Sequence, residues 1–203
     1  IKNSNKIKPI NEKIVALLPG SRDQEINKIL PIMLSVIKYF KEYKFIICAP
    51  PSKNKKFFKK FLKKYENNNV QIVENKTYNV LRKSSAALVT SGTATLEAAL
   101  IKTPQIVCYK SSWISYRIGK LLLNNIRYIS LVNLILKKEA VKELIQEDLN
   151  KNKLKKELSL ILNSEGRQNI LKSYKELNTI LNKKGASKET ATRIYKYHFE
   201  SNS

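Results

Sequence analysis

"ALVTSGTATLEAAL", residues 87 to 100, changes character at its midpoint. Ala87 to Val89 has the unbroken apolar composition of a strand buried on both faces, whereas Ala94 to Leu100 has that of a helix. Between them lies Thr90-Ser91-Gly92-Thr93, small hydroxyl residues around one of only five glycines in a chain of 203 residues. A strand that hands over to a helix at such a corner is the unit from which parallel α/β sheets are built.

The alternation continues on both sides. Ile14 to Leu18 is a short apolar run closed by Pro19-Gly20, and a helix follows from about Gln24, expected to break or restart at Pro31. Phe45 to Ala49 is the next strand, ended by Pro50-Pro51. A basic helix is expected over residues 53–65, a strand over 70–73 and a short helix over 78–83. Gln105 to Tyr109 makes another strand, and Trp113 to Leu123 a further helix. Past about Glu143 the strands are expected to stop, leaving three helices with breaks near 163–166 and 184–187, where Ser187 has the position of an N-cap. The pattern predicts an α/β protein with a doubly wound parallel sheet: a Rossmann-like domain over residues 1–142 and a C-terminal helical extension over 143–203.

A hydrophobic content of 42% fits a folded globular chain. No apolar run reaches the roughly 18 residues that span a bilayer, and the first six residues lack the features of a signal peptide, so a cytosolic protein is the default expectation. The chain begins on Ile1 without a methionine, which points to the later part of a longer protein. Cys48 and Cys108 each lie inside an apolar run with no CxxC spacing and are expected to be buried free thiols. A single histidine, His198, gives no basis for a zinc site or a Ser-His-Asp triad.

The 39 lysines and arginines exceed the 16 acidic residues by 23 charges, which raises the question of a nucleic-acid partner. Against it, the lysines are spread over the whole chain, and the run Lys53 to Lys60 has the form of a solvated face of an amphipathic helix. Abundant Lys, Asn and Ile indicate compositional drift, with attraction to an anionic membrane surface and nucleic-acid binding as the two alternatives.

In a doubly wound sheet ligands bind outside the carboxyl ends of the strands. Two loops there stand out, Leu18-Pro19-Gly20-Ser21-Arg22 and Thr90-Ser91-Gly92-Thr93. Each offers a hydroxyl and a glycine that lets backbone approach a ligand, and each leads into a helix whose first N–H groups are unpaired and partly positive. Such a corner suits phosphate, although small residues there also serve simple capping. Arg22 adds paired donors matched to a diphosphate, in a chain where lysine greatly outnumbers arginine. Glu97, about one turn into the second helix, lies where a carboxylate could meet ribose hydroxyls, or where it could be an ordinary surface glutamate. Neither loop matches GxGxxG or GxxxxGK[ST].

Five stretches, "LLPGSRDQEI" (17–26), "TSGTATLEAALIKTPQIVCYK" (90–110), "SLVNLI" (130–135), "ELIQ" (143–146) and "GASKETA" (185–191), together resemble lipid-A-disaccharide synthase, in that family's order and spacing. "VTSGTATLE" alone is less specific, because a similar helix start recurs in other nucleotide-sugar glycosyltransferases. The resemblance implies the C-terminal, UDP-binding half of a GT-B glycosyltransferase, inverting and without metal or other cofactor. It implies transfer of 2,3-diacylglucosamine from UDP-2,3-diacylglucosamine to 2,3-diacylglucosamine 1-phosphate, at the cytoplasmic side of the inner membrane with the enzyme peripheral on its anionic surface. No nucleic-acid partner is implied, and a homodimer is compatible with it.

By the same resemblance Gly20, Ser21 and Arg22 meet the donor diphosphate, Arg22 offsetting charge on the departing UDP, and Glu25 orders that loop or touches the sugar. Ser91, Gly92 and Thr93 face the phosphates, Thr95 supports their loop and Glu97 binds the ribose. Asn133, Glu143 and Gln146 border the sugar and the interdomain cleft, and the general base is expected in an N-terminal domain absent from this chain. The apolar stretch Trp113 to Leu123 could touch acyl chains or simply pack in the core. Two other classes stay open: another GT-B UDP-sugar transferase or epimerase, and a basic nucleic-acid-binding module.

Overall fold

A computed structural model of the chain describes residues 13–63, 65, 69–110 and 127–182. Six strands, β1 (Ile14–Leu18), β2 (Lys44–Ala49), β3 (Val70–Glu74), β4 (Ala86–Thr90), β5 (Gln105–Tyr109) and β6 (Lys142–Ile145), form one sheet in the order β3-β2-β1-β4-β5-β6. Every pairing is parallel. Winding therefore runs outward from β1 to β3 and then reverses, returning to β4 on the other side of β1. The switch point is the seam between β1 and β4, with Val15 beside Ala86 and Leu18 beside Val89.

The helices between strands are α1 (Asp23–Ser35), α2 (Lys55–Leu62), α3 (Thr77–Lys83), α4 (Thr93–Leu100) and α5 (Leu131–Leu136); α6 (Lys151–Leu162) and α7 (Ser164–Leu181) follow β6. The continuous apolar runs of β1 and β4 are explained by cover on both faces. Val15 and Leu17 belong to one core with Ile26, Ile29 and Leu30 of α1. Ile14, Ala16 and Leu18 belong to the opposite core with Val80 and Leu81 of α3 and Ala98 of α4. A strand whose neighbours alternate in this way cannot carry an exposed polar stripe, and β1 is buried at all five positions.

Three expectations are corrected. Pro31 neither breaks nor restarts α1, which runs unbroken through it. Asn27 and Pro31 both lie on the exposed face, so the carbonyl deprived of its helical partner is on the solvent side. The strands do not stop at Glu143: Lys142 to Ile145 pair with Ile106 to Tyr109, so the sheet crosses the boundary drawn between residues 142 and 143. Residues 131–136, given no element in the sequence reading, form α5, capped by the Ser130 side chain. The break between α6 and α7 falls at Asn163, whose side chain accepts the Gly166 N–H. The stretch Trp113 to Leu123, Ser187, the motif at 185–191 and His198 lie outside the described residues. Among the described residues no helix is long and apolar enough to cross a membrane.

Candidate functional site

The two marked loops leave adjacent strands at the same end of the sheet, and they meet. A cleft of about 300 Å³ is lined by Gly20, Ser21 and Glu25 from the first loop and its helix, and by Thr90, Ser91, Gly92, Thr93 and Glu97 from the second. Leu18, Cys48, Pro50, Pro51, Thr77 and Ala94 complete the wall.

Backbone conformation explains both glycines. Gly20 has φ +94°, and a Cβ there would stand 3.0 Å from Glu25 Oε2 and 3.3 Å from Thr90 Cγ2, so the loop is closed as well as left-handed. Gly92 has φ 152° and ψ −164°, a region open essentially to glycine alone. A Cβ on Gly92 would meet nothing within 4 Å, because that side of the residue opens into free space. Sterics demand the first glycine; backbone geometry demands the second.

Both glycine loops deliver a helix N-terminus to the cleft. Neither α1 nor α4 has a side-chain cap, whereas α2, α5, α6 and α7 are capped by Asn54, Ser130, Asn150 and Asn163. α3, whose first residue Thr77 also lines the cleft, is uncapped too, so among the described α-helices side-chain caps are absent at the three that start at the cleft. Unpaired N–H groups and the positive ends of two helix dipoles converge on the same space, which is the arrangement that holds an anion.

Side chains brace this backbone. Glu25 Oε1 accepts from Arg22 Nη1 at 3.2 Å, which ties the exposed guanidinium to a cleft residue, although Arg22 itself is not among the residues that line the cleft. Asp23, next to it, pairs with Lys53. Ser91 Oγ donates to the Ile129 carbonyl at 3.0 Å, and Thr95 Oγ1 donates to the Gly92 carbonyl at 2.7 Å. The hydroxyl of Ser91 thus holds the loop, leaving the backbone of residues 91–93 to face the cleft. Glu97 is half-buried and borders both this cleft and an adjoining cavity of about 550 Å³ that includes Asn75, Thr77, Tyr78 and Arg82.

Asn133 and Glu143 stand elsewhere. Asn133 is fully buried: its Oδ1 accepts the Ala140 and Val141 N–H groups at 2.8 and 3.0 Å, and its Nδ2 donates to the Val141 carbonyl and to Glu143 Oε1, both at 2.8 Å. Glu143 also accepts the Ser130 N–H at 3.0 Å, the Ser130 hydroxyl at 2.7 Å and the Ile129 N–H at 2.9 Å. With Ser91 bound to the Ile129 carbonyl, the two residues fix the segment on which the Gly92 loop rests. Neither lines the cleft. Gln146 follows β6 at the same end of the sheet with φ 53°, also outside the cleft lining.

The family model described as lipid-A-disaccharide synthetase matches residues 1–195 of the sequence. The chain belongs to the lipid-A-disaccharide synthetase family. Lipid-A-disaccharide synthase of Francisella tularensis subsp. novicida (strain U112) is 36% identical over 162 residues, covering 78% of this chain and 43% of the relative. The same figures hold for the protein of subsp. tularensis strain SCHU S4. The chain therefore spans less than half the length of these relatives.

Solved structures are similar in fold alone. A complex of S. aureus MnaA with UDP superposes with a TM-score of 0.61 at 15% identity, over 96% of this chain and 49% of that one. The C-terminal CMP-Kdo binding domain of WaaA from Acinetobacter baumannii gives 0.53 at 12% identity, over 85% of this chain and 91% of that one. This member of the lipid-A-disaccharide synthetase family has the Rossmann-like α/β fold of GT-B glycosyltransferases.

Sequence reasoning marked Thr90 in the second loop but missed Cys48, Pro50, Pro51 and Thr77 as cleft residues of this lipid-A-disaccharide synthetase relative. They come from the end of β2 and the start of α3, and no local feature places either beside the two glycine loops until β2 has paired with β1. Thr90 is buried, and its hydroxyl has no partner among the described residues. Cys48 is a free buried thiol whose pKa burial pushes up to about 12, with a Thr77 hydrogen bond acting weakly the other way. It is neutral near pH 7 and unsuited to nucleophilic or metal chemistry. Among the described residues no cluster of three His, Cys, Asp or Glu could hold a metal ion.

Proposed function

We propose that this chain is the donor-binding half of a glycosyltransferase of lipid A synthesis, one that moves 2,3-diacylglucosamine from its UDP derivative to 2,3-diacylglucosamine 1-phosphate. The observation that carries the reading is the convergence of two uncapped helix starts, on two glycine loops, at the β1/β4 switch point of a chain from this family.

In this reading the backbone N–H groups of the Gly20-Ser21 and Gly92-Thr93 corners hold the diphosphate of the donor, and Arg22 adds a charged fork that Glu25 orients. Glu97, one turn down α4, accepts the ribose hydroxyls. Transfer is inverting: an acceptor hydroxyl attacks the anomeric carbon while the bond to the diphosphate oxygen breaks, and UDP leaves with the bonding electrons. Negative charge then grows on the leaving diphosphate, where two helix dipoles and Arg22 stabilise it without a metal. The general base is assigned to residues beyond this chain, because no carboxylate among the described residues is set apart for the task. An acylated donor and an excess of lysine both favour working as a peripheral protein at an anionic membrane surface.

Calorimetric titration of UDP and uridine into the wild-type chain and its Arg22→Ala and Glu97→Ala variants tests the reading. Arg22→Ala should weaken UDP by about 1.5–3 kcal/mol, as expected for a charge-assisted contact, and leave uridine unchanged. Glu97→Ala should weaken both alike. A wild-type chain that is folded and does not bind UDP would sink the proposal. Competition between UDP-N-acetylglucosamine and the diacylated donor separates it from other UDP-sugar transferases and epimerases.

A further inference from the structure

Behind the Gly92 corner a buried chain of hydrogen bonds leads away from the cleft. Thr95 Oγ1 holds the Gly92 carbonyl at 2.7 Å, and the Thr95 carbonyl in turn accepts from Gln105 Nε2 at 2.8 Å. The second hydrogen of the same amide goes to Tyr174 Oη at 3.0 Å, and Tyr174 donates to the Thr103 carbonyl at 3.2 Å. Thr95 and Gln105 are fully buried and Tyr174 is 3% exposed, so none of these bonds competes with water. The chain joins three elements: α4, the first residue of β5 that follows it, and α7, whose Tyr174 lies 69 residues beyond Gln105.

The amide orientation is fixed, because a carbonyl can only accept and Thr95 O therefore demands the nitrogen of Gln105. That choice leaves Gln105 Oε1 buried without a partner among the described residues. An unmet buried acceptor is unfavourable, and an apolar side chain of similar volume would avoid it. What the glutamine provides instead is a donor on each side, one to the helix behind the Gly92 corner and one to α7.

We infer that Gln105 and Tyr174 are positioning residues for the Gly92 corner, and that α7 thereby sets the aim of the N–H groups at the start of α4. The inference rests on the reading of this corner as a diphosphate cradle only for its effect on binding; the coupling itself can be observed without ligand.

The test uses the ligand-free chain first. With five glycines in the sequence, Gly92 and Gly20 are resolvable reporters in a 1H–15N spectrum. Tyr174→Phe keeps the ring and removes the hydroxyl; the Gly92 amide should shift while Gly20 stays in place. Gln105→Met, which fills the volume without either donor, provides the same test if Tyr174→Phe does not fold. Thr95→Ser retains the Oγ bond and should leave Gly92 at its wild-type position. Calorimetry should then give a roughly 3- to 10-fold loss of UDP affinity in Tyr174→Phe and less than about 2-fold for uridine, a ratio that general destabilisation does not move. A Gly92 resonance that moves no more than Gly20 overturns the inference, as does equal weakening of UDP and uridine. A shifted Gly92 in a chain that fails to bind UDP upholds the coupling and refutes the diphosphate reading instead.

Discussion

Gly20 and Thr90 face each other across the β1/β4 seam so closely that a methyl group on Gly20 would stand 3.3 Å from Thr90 Cγ2. The last residue of β4 thus forms the floor against which the first loop is folded, and the two glycine corners are one construction.

Gly20→Ala should destabilise the chain by about 1–3 kcal/mol, since the substitution adds a crowded Cβ to a left-handed backbone. Part of that loss should return in the Gly20→Ala/Glu25→Ala double variant, because Glu25 Oε2 is the 3.0 Å contact. Gly92→Ala should cost a similar amount with no such rescue, since only its backbone conformation is at stake. Urea denaturation of the four proteins checks the contrast.

Arg22→Ala should leave the unfolding midpoint nearly unchanged. The Arg22 side chain is 82% exposed and its contact with Glu25 is a surface pair, which contributes between nothing and about 1 kcal/mol. Thermal melts read this, and a large loss would mean that Arg22 serves the fold.

Asn133→Ala should be among the more damaging single changes away from the apolar core. It strips partners from the Ala140 and Val141 N–H groups and the Val141 carbonyl, each an unmet buried group worth roughly 1–3 kcal/mol. Asn133→Asp keeps the acceptor but sets a second carboxylate against Glu143 Oε1. Its deficit should therefore be no smaller than that of Asn133→Ala despite the retained acceptor. Equilibrium unfolding of the two variants would show it; a clearly milder Asn133→Asp would contradict it.

Stability should decline above about pH 9. In the unfolded chain both thiols lose their protons near 9.0, whereas burial holds the folded Cys48 proton until about 12 and pushes Cys108 up further. Burial raises the Tyr174 phenol as well. Between the unfolded and folded values the unfolded chain binds fewer protons, so each such group withdraws stability as pH rises and contributes no slope below the unfolded value. Cys48→Ala should show a shallower fall between pH 9 and 11, measured by chemical denaturation at fixed ionic strength.

Most of the sheet was legible in the sequence because β1, β2, β4 and β5 are covered on both faces and therefore carry unbroken apolar runs. The sixth strand was not: Lys142-Glu143-Leu144-Ile145 has two charged residues, as the half-covered edge of a sheet permits, and its composition suits a helix equally well. The glycine corners were legible for a local reason, since a left-handed backbone at a strand end selects its residue without reference to anything distant. Asn133 and Glu143 drew attention through the family pattern alone. Their partners, the consecutive Ile129 and Ser130 on one side and Val141 on the other, come together only once β6 has paired, so no local feature separates a substrate contact from a brace.

The missing cap of α1 sets stability and anion binding in opposition. A side-chain cap contributes about 0.5–2 kcal/mol, and four other described helices use one, so selection for a sturdier protein would readily fill the start of α1, where Arg22 already has an extended backbone. The added cap would occupy the N–H groups that a bound anion needs. Directed evolution for heat tolerance without selection for binding should therefore erode this corner of the molecule early. A thermostable descendant selected without regard to binding would betray itself by an Asn, Ser or Asp at residue 22, whose backbone is already extended as a capping residue requires.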